Sequence, residues 1–569
     1  MTTSNLKKIK RQTFARLIMV IIILILLNIL GQFFYHRFDL TKDKRFSLSK
    51  PTKDLIRTLD DIVYIKVYLD GELPSGFRRL KESTRELLDE YKAYAGKKLE
   101  YDFFDPSESK NEEDRKNLYN QLMEQGLQPI KLMEGENDQK KQKIIFPGAI
   151  VTYKNKSLPL SLLQQQLGLS PEEVIHNSII SLEYEFSNTI KKSQITVKPR
   201  IAFIEGHGEL DKEHTADIYS SLSQYYEVTR LNLPYSKIGI LANYDAIIIA
   251  KPDSGFRELE KYEIDQFVMR GGKAIWFIDM LMADMDSLDK SGMGVTLDYA
   301  LNLDDLFFKY GFRIYPVLVE DLSCQYIPLL TSSASGGAQR DFRLWPYYPL
   351  VFPGTNHPIV NNLNGIWFRF ANIIDTIKSP AIKKTILLQT SEQSRLKSNP
   401  VKISLDQIAD INYPEIFNKG PQNLAVLLEG TFRSLYTNRP IPTIIPGELQ
   451  KKFMAQSKPN KMIVVADGDI ISNNVSRSSG TYYPLGFDPY TKQTFGNKIF
   501  VQNCIDFLLD ESNLMQLRTK HFKLRLLDKT KYKGKEIKWQ VINLGLPILI
   551  VAVFGFIFNF LRKRKYGSI

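Results

Sequence analysis

Two long uncharged stretches near the ends of the chain restrict its architecture more than any other feature. Residues 17–34 carry no charge and follow a segment, residues 1–16, that holds five Lys or Arg and no acid. Residues 541–561 are also uncharged, with Trp539 before them and four basic residues behind them. About 20 apolar residues span the hydrocarbon of a bilayer, and basic and aromatic residues are common at its borders. The sequence therefore predicts transmembrane helices over residues 17–34 and 539–561.

A cleaved signal peptide is the alternative for the first stretch. Its apolar core would have about 7–15 residues and would end at small residues. Residues 33–36 read Phe-Phe-Tyr-His, so an uncleaved anchor is favoured. Nine Lys or Arg flank the two spans on the terminal side and ten on the inner side, so charge counts alone leave the orientation open. The acid-free N-terminus favours cytoplasmic tails, residues 1–16 and 562–569, and an extracytoplasmic bulk.

The charge of the chain does not indicate a nucleic-acid-binding protein. The formal net charge is +13, and nine of these excess charges lie in the two tails. The 545 residues between them hold only four, too few for a phosphate-binding field. The two cysteines exclude a disulfide scaffold and a four-cysteine metal site, and leave open whether Cys324 and Cys504 pair.

The first half of the chain reads as an α/β domain. Residues 62–69 and 99–104 have strand character, and residues 78–95 between them show helical spacing of apolar side chains, which predicts a parallel βαβ unit. Residues 107–143 are charged and are interpreted as a loop. Ser170-Pro-Glu-Glu starts a helix that runs to about residue 192. We expect this first domain to cover residues 47–195.

A second α/β domain is expected over residues 199–510. Strands are predicted at 200–205, 225–231, 245–251 and 273–279, and again at 462–467, with helices at 258–270 and 500–509. The apolar run 246–250 indicates burial on both faces of a parallel sheet. Residues 312–450 read as a Pro- and Gly-rich insertion, with a loop at 332–337. Residues 511–538 read as a basic juxtamembrane tether.

Motifs of nucleotide and nucleophilic chemistry are absent from the sequence. Gly271-Gly272-Lys273 continues with Ala274, so the chain lacks the Gly-x-x-x-x-Gly-Lys-Ser/Thr loop that holds phosphates. It also lacks a Gly-x-Ser-x-Gly elbow and a His-Glu-x-x-His helix. ATP hydrolysis by a P-loop is therefore excluded.

The candidate ligand-binding residues follow predicted strands. The carboxyl ends of parallel strands meet at one edge of an open α/β sheet, where ligands bind. His and carboxylate side chains there are suited to metal binding or to acid–base work, although glycine turns and helix caps use the same residues. The turn and capping interpretation is favoured over the ligand site. The candidates are Glu205, His207, Glu209, Asp279, Asp467 and Asp469.

Short motifs along nearly the whole chain resemble one family, the auxiliary, so-called substrate-binding component of the gliding-motility ABC transporter of Bacteroidota (GldG). They are residues 37–49 (RFDLTKDKRFSLS), 104–106 (FDP), 204–209 (IEGHGE), 276–279 (WFID), 357–360 (HPIV), 428–432 (LEGTF), 466–469 (ADGD), 483–488 (YPLGFD) and 538–540 (KWQ).

The resemblance implies a protein of the bacterial inner membrane with two spans and a periplasmic bulk. It implies a separate ABC ATPase and a multi-span permease as partners, in bacteria that glide on surfaces. It also suggests that the second domain is Rossmann-like and akin to glutamine amidotransferases. Those use a Cys on a sharp strand-to-helix turn, and this sequence has none there, which fits a fold used for binding.

We therefore expect a non-catalytic auxiliary component of an ABC transporter, with no cofactor and no resident metal, which binds a small molecule or another envelope protein. Two alternatives stay open. One is an envelope metal-dependent hydrolase that uses Glu205, His207, Glu209 and Asp279. The other is a structural scaffold of the motility or secretion apparatus.

Overall fold

The computed structural model describes residues 14–26, 47–109, 111–134, 141–164, 166, 169–233, 239–285, 288, 293–332, 338–443, 445, 450–476, 479–510, 512–519, 534 and 536–566. Backbone contacts divide the chain into two compact units, Met1–Lys520 and His521–Ile569.

The α-helices are α1 (Phe14–Leu26), α2 (Lys50–Arg57), α3 (Ser75–Ala95), α4 (Glu112–Glu124), α5 (Pro171–Gln194), α6 (Ala216–Ser223), α7 (Glu258–Met269), α8 (Asp304–Tyr310), α9 (Asn497–Leu509) and α10 (Glu536–Tyr566). The first strands are β1 (Val63–Val67), β2 (Leu99–Phe103), β3 (Ile130–Glu134), β4 (Lys141–Ile145), β5 (Gly148–Tyr153) and β6 (Lys156–Ser161). The later strands are β7 (Arg200–Glu205), β8 (Glu227–Asn232), β9 (Ala246–Ala250), β10 (Lys273–Phe277), β11 (Leu281–Met282), β12 (Met293–Val295), β13 (Leu297–Asp298), β14 (Phe312–Tyr315), β15 (Val317–Asp321), β16 (Cys324–Ser332), β17 (Ala338–Val351), β18 (Ile366–Trp367), β19 (Ile373–Thr376), β20 (Ile382–Gln389), β21 (Ser394–Ser398), β22 (Lys402–Ser404), β23 (Asn423–Gly430), β24 (Asn460–Val465), β25 (Phe487–Asp488) and β26 (Gln493–Thr494).

The second unit contains the long apolar helix α10. Residues Ile537–Arg564 are long and apolar enough to cross a membrane, and their most apolar 18-residue window has a mean hydropathy of 2.6. The 31 residues of α10 extend about 46 Å at 1.5 Å per residue, and Pro547 lies inside the helix. The predicted second span is therefore a continuous apolar helix.

The first predicted span is described only in part. Its described part, helix α1, is apolar and shorter than a spanning helix. The rest of the predicted span lies outside the described residues, so a second transmembrane helix stays a prediction.

A four-stranded sheet of order β2-β1-β5-β6 organises the first predicted domain. Strands β1 and β2 are parallel and flank α3, as the βαβ pattern predicts. Alternate residues of β1 are buried, and they belong to one core with α3 and α5. Helix α5 begins where the sequence indicates, because Ser170, the residue before Pro171, forms a capping box with Glu173.

The prediction of a loop over residues 107–143 was wrong. This segment holds α4 and strand β3, and β4 begins within it. Leu122 is the buried residue of α4, and Leu118 and Tyr119 are only partly buried. A helix that buries so little leaves a weak apolar pattern in the sequence, and for that reason the pattern was interpreted as a loop.

A seven-stranded sheet of order β20-β23-β24-β10-β9-β7-β8 forms the centre of the second predicted domain. Strands β8, β7, β9, β10 and β24 are parallel, and β23 and β20 extend the sheet with antiparallel pairing. All five residues of β9 are buried, as their apolar run predicts. One sheet face packs on α9 and the other on α7.

The predicted insertion, residues 312–450, contributes to this sheet through β20 and β23. It also forms the long hairpin of β16 and β17. Of the mobile loop predicted at 332–337, Ser332 is the last residue of β16, and residues 333–337 lie outside the described residues. Cys324 on β16 and Cys504 on α9 are buried and free, so no disulfide joins them.

Candidate functional site

The parallel part of the large sheet reverses its order between β7 and β9. In chain order the five parallel strands run 2-1-3-4-5, since β8 lies on one side of β7 and β9, β10 and β24 follow on the other. In open α/β sheets, ligands bind outside the carboxyl ends of the strands at such a reversal. The loops after β7, β9, β10 and β24 therefore form the candidate site.

The loop after β7 is held tightly by its histidine. His207 is buried, and its Nδ1 and Nε2 each lie 3.0 Å from a carboxylate oxygen, of Glu209 and Glu260 respectively. Its ring stacks on Phe256 at 3.7 Å between centroids. Burial lowers the pKa of His207, but hydrogen bonds to the two carboxylates outweigh it and the net pKa is raised.

Both ring nitrogens of His207 are thus engaged by protein carboxylates, which favours a positively charged, structural imidazole. A metal ligand or a general base needs one nitrogen free. The arrangement therefore disfavours the metal-dependent hydrolase.

The loop after β9 packs directly on the loop after β7. The backbone N–H groups of Asp253 and Ser254 donate to the His207 carbonyl at 2.9 and 3.0 Å. Gly208 has φ +73°, and a Cβ at this position would lie 1.7 Å from an oxygen of Asp253. Only glycine permits this close approach of the two loops.

Three carboxylates meet after β10 and β24, where the sequence places Asp279, Asp467 and Asp469. One oxygen of each lies within 4.8 Å of the others. Asp279 accepts the Gly468 N–H at 2.6 Å, and Asp467 accepts the Asp469 N–H at 2.7 Å. The other Asp467 oxygen accepts the Arg369 N–H at 2.6 Å. Backbone donors therefore fix the orientation of the cluster.

Lys251, the residue that follows β9, supplies the positive charge of this centre. Its Nζ lies 2.7 Å from Asp469 and 3.3 Å from Asp279. Burial lowers the pKa of Lys251, but attraction by these carboxylates outweighs it and raises the net pKa. Burial raises the pKa of Asp279 and, together with repulsion by its acidic neighbours, that of Asp467.

Three carboxylates at this spacing are suited to a hard cation that prefers oxygen ligands. Here the Lys251 ammonium already lies against two of them. We call Lys251, Asp279, Asp467 and Asp469 the Lys251 centre. It is mostly buried: 21% of the Lys251 side chain and 16% of the Asp469 side chain are exposed.

The structure divides the predicted site residues among three places. The aspartates share the Lys251 centre, and His207 and Glu209 form a separate buried cluster in the neighbouring loop. Glu205 joins neither, because it pairs with Arg230 at 2.7 Å.

Sequence reasoning missed Lys251, Glu260 and Arg369. A lysine directly after the apolar run of β9 was the available signal for the first. Glu260 lies on α7, where its sequence position indicates only a helix cap.

Comparison with known proteins identifies the family of the chain. Residues 198–504, more than half of the chain, match the family described as "ABC-type uncharacterized transport system". The chain belongs to this family. The match covers all four loops of the candidate site. Membership associates the chain with ABC-type transport, in which ATPase and permease subunits generally act.

Other likenesses were also found. Residues 42–152 match a domain of unknown function, DUF7088. An uncharacterized protein of Borreliella burgdorferi is 22% identical over 96% of this chain and 97% of its own length. Among solved structures, the mmIFT52 N-terminal domain is 12% identical, with a TM-score of 0.30, over 54% of this chain and 96% of that chain.

Proposed function

We propose that the chain is a non-catalytic, membrane-anchored auxiliary component of an ABC transporter. The family match over residues 198–504 carries this proposal. The spanning-length helix α10 supports membrane attachment, and the absence of a P-loop motif from the sequence requires a separate ATPase subunit. One or two spans are too few to form a transport path, so a multi-span permease is the second partner.

We further propose two spans in a bacterial cytoplasmic membrane, with the bulk of the chain in the periplasm. The apolar helix α1 supports the first span, and Trp539 with the basic residues 562–565 supports the second. A cysteine placed at Val197, 85% exposed, tests this orientation by labelling of cells whose inner membrane is intact. A membrane-impermeant maleimide should label it in cells with a permeabilised outer membrane. Labelling only after lysis of the inner membrane would contradict the orientation.

We propose the Lys251 centre as the ligand-facing part of the large sheet. It lies at the carboxyl edge beside the order reversal, and the partial exposure of Lys251 and Asp469 permits polar contact with a ligand or an envelope protein. The same features also suit a scaffold that binds only protein. Gliding on surfaces is the process that we propose, from the resemblance of the short motifs to gliding-motility transporters.

Purification of the tagged full-length chain from its native membrane in mild detergent tests the main proposal. We expect an ABC ATPase and a multi-span permease to co-purify in fixed ratio. A matched variant carries an unrelated single-span helix in place of residues 539–561. It should stay in the membrane, and it should lose partners if α10 docks on the permease.

Purification of the chain alone, or with outer-envelope proteins only, would contradict the transporter proposal and favour a scaffold. A strain that lacks this chain tests the proposed role in gliding. Loss of gliding, restored by the wild-type chain, supports the proposal, whereas normal gliding opposes it.

A further inference from the structure

Arg369 is a guanidinium without an acidic partner at the border of the Lys251 centre. Its backbone N–H donates to Asp467. The guanidinium lies over the Trp367 ring, 4.0 Å from the centroid, and its Nη2 donates to Asn474 at 3.0 Å. Within the described part of the chain this side chain forms no ion pair, although Lys251 contacts two carboxylates. Stacking and the bond to Asn474 hold the guanidinium in place, and its Nε and Nη1 are left to bind an oxyanion.

Tyr348 is a second side chain with an unused hydrogen-bonding group at this border. Its ring packs edge-on against Trp367, with 5.8 Å between centroids, and only 8% of the residue is exposed. The hydroxyl nevertheless bonds to none of the described residues. It lies close enough to Arg369, Asp469 and Lys251 for their charges to act on its pKa, which burial raises overall. Because a buried tyrosine hydroxyl normally has a partner, this one has a place for a ligand atom.

Asp469 is the accessible carboxylate of the Lys251 centre. Its Oδ1 contacts the Lys251 ammonium at 2.7 Å, and its Oδ2 accepts from none of the described residues. The Asp469 side chain is 16% exposed, whereas that of Asp279 is 6% exposed and Asp467 is fully buried. Backbone N–H groups already engage Asp279 and Asp467. A ligand therefore meets one free carboxylate oxygen, which is suited to an ammonium group.

The unpaired guanidinium and the free carboxylate oxygen belong to neighbouring residues at one edge of the sheet. One Asp467 oxygen accepts the Arg369 N–H at 2.6 Å, and oxygens of Asp467 and Asp469 lie within 4.8 Å of each other. Burial, together with repulsion by its acidic neighbours, raises the pKa of Asp467 and favours its neutral form. Two cations then face two carboxylates, so the charges of the group balance. A ligand that matches them carries one acidic and one basic group and no net charge.

We propose that this edge of the sheet binds the head group of a free amino acid. The carboxylate of the ligand accepts from the Arg369 guanidinium and the Tyr348 hydroxyl, and its ammonium group donates to the free oxygen of Asp469. The site rests on the proposed ligand-facing role of the Lys251 centre and gives that role a ligand class. The three residues contact the head group only, so the side chain of the ligand is identified by the binding assay.

Saturation-transfer NMR on the full-length chain in detergent micelles tests the site. The probes are the standard free amino acids, added in small mixtures, and at least one of them should bind. Two analogues of each amino acid that binds then test its head group. The amide lacks the carboxylate, and the deaminated acid lacks the ammonium group. Each should bind about tenfold more weakly or worse, because each loses a charge-assisted hydrogen bond.

Two variants locate the site. Tyr348→Phe removes only the hydroxyl, and Arg369→Met removes the guanidinium but keeps a long stem. Each should weaken binding about tenfold or more. The matched controls are Tyr413→Phe, at a tyrosine that is 56% exposed, and Arg313→Met, at an exposed arginine 5.7 Å from the centroid of the Tyr315 ring. Both controls should bind like the wild type.

Three results would overturn the site: no transfer to any standard amino acid, an amide or a deaminated acid that binds as tightly as its parent, or unchanged binding in Tyr348→Phe and Arg369→Met. Circular dichroism of each variant checks that the fold is retained, and the two analogues test the head group without any substitution. The ATPase and permease are absent from this assay, so its failure leaves the transporter proposal to the co-purification experiment.

Discussion

Lys251→Met should destabilise the second α/β region strongly, because it removes the cation of the Lys251 centre. The ammonium lies 2.7 Å from Asp469 and 3.3 Å from Asp279, and the side chains of these aspartates are 16% and 6% exposed. Methionine keeps most of the length of the lysine stem and leaves the carboxylates without a counter-charge. Repulsion among these carboxylates, which lie within 4.8 Å of one another, then lowers the stability of the folded state further.

The size of the destabilisation depends on how deeply Lys251 and its aspartate partners are buried. Removal of one partner of a buried ion pair costs about 3–5 kcal/mol, since the other charge stays buried and uncompensated. Lys154→Met is the matched control. Lys154 also has a left-handed backbone, φ 52° against 56° for Lys251, and also pairs with an aspartate, Asp60, at 3.0 Å. Those side chains are 49% and 69% exposed, so the control should cost less than about 1 kcal/mol.

Urea unfolding of the full-length chain, followed by circular dichroism, measures both variants at pH 5 and pH 8. The cost of Lys251→Met should be smaller at pH 5. Burial raises the pKa of Asp279 and of Asp467, and no ammonium opposes this rise in the variant, so at pH 5 the folded variant binds protons that the unfolded chain has released. A loss below about 1 kcal/mol at pH 8, or a loss equal to that of the control, would refute the buried ion pair.

Three further predictions test other parts of the structure. Burial raises the folded pKa of Glu320 even though its carboxylate lies 3.5 Å from Arg395, so wild-type stability should fall relative to Glu320→Gln as pH rises above about 4. We expect a difference on the order of 1–3 kcal/mol at pH 8 by urea unfolding, and parallel pH profiles would contradict it. The pKa of His207 is also raised, but this side chain is charged when protonated. The stability that protonated His207 contributes is complete below the unfolded pKa of about 6.5 and is lost as pH rises through the folded pKa. His207→Gln should therefore cost more at pH 5.5 than at pH 8.5, and a pH-independent cost would show that the imidazole is neutral. Gly468→Ala should cost about 1–3 kcal/mol, because its Cβ would lie 2.5 Å from the side chain and 3.0 Å from the backbone of Lys251, whereas Gly354→Ala meets no atom within 4 Å and serves as the control.

Local patterns in the sequence account for most of the regular elements. The apolar run of β9 predicted a strand buried on both faces, and the helical spacing between β1 and β2 predicted α3 and parallel pairing. The Ser170 capping box located the start of α5. Helix α4 was missed because it buries only Leu122 and its apolar pattern is correspondingly weak. The antiparallel addition of β20 and β23 was also missed, since pairing between distant strands leaves no local pattern.

The sequence by itself determined the apolar helix near its end, the alternation of strands and helices, and the position of Asp279, Asp467 and Asp469 after strands. These features depend on residues that are close in the chain, so the order of side chains is enough to specify them. Only the tertiary structure decided which charges meet. Lys251 from one loop neutralises aspartates from two others, and Glu260 from α7 holds His207, because the distances between these groups are set by the order of strands in the sheet.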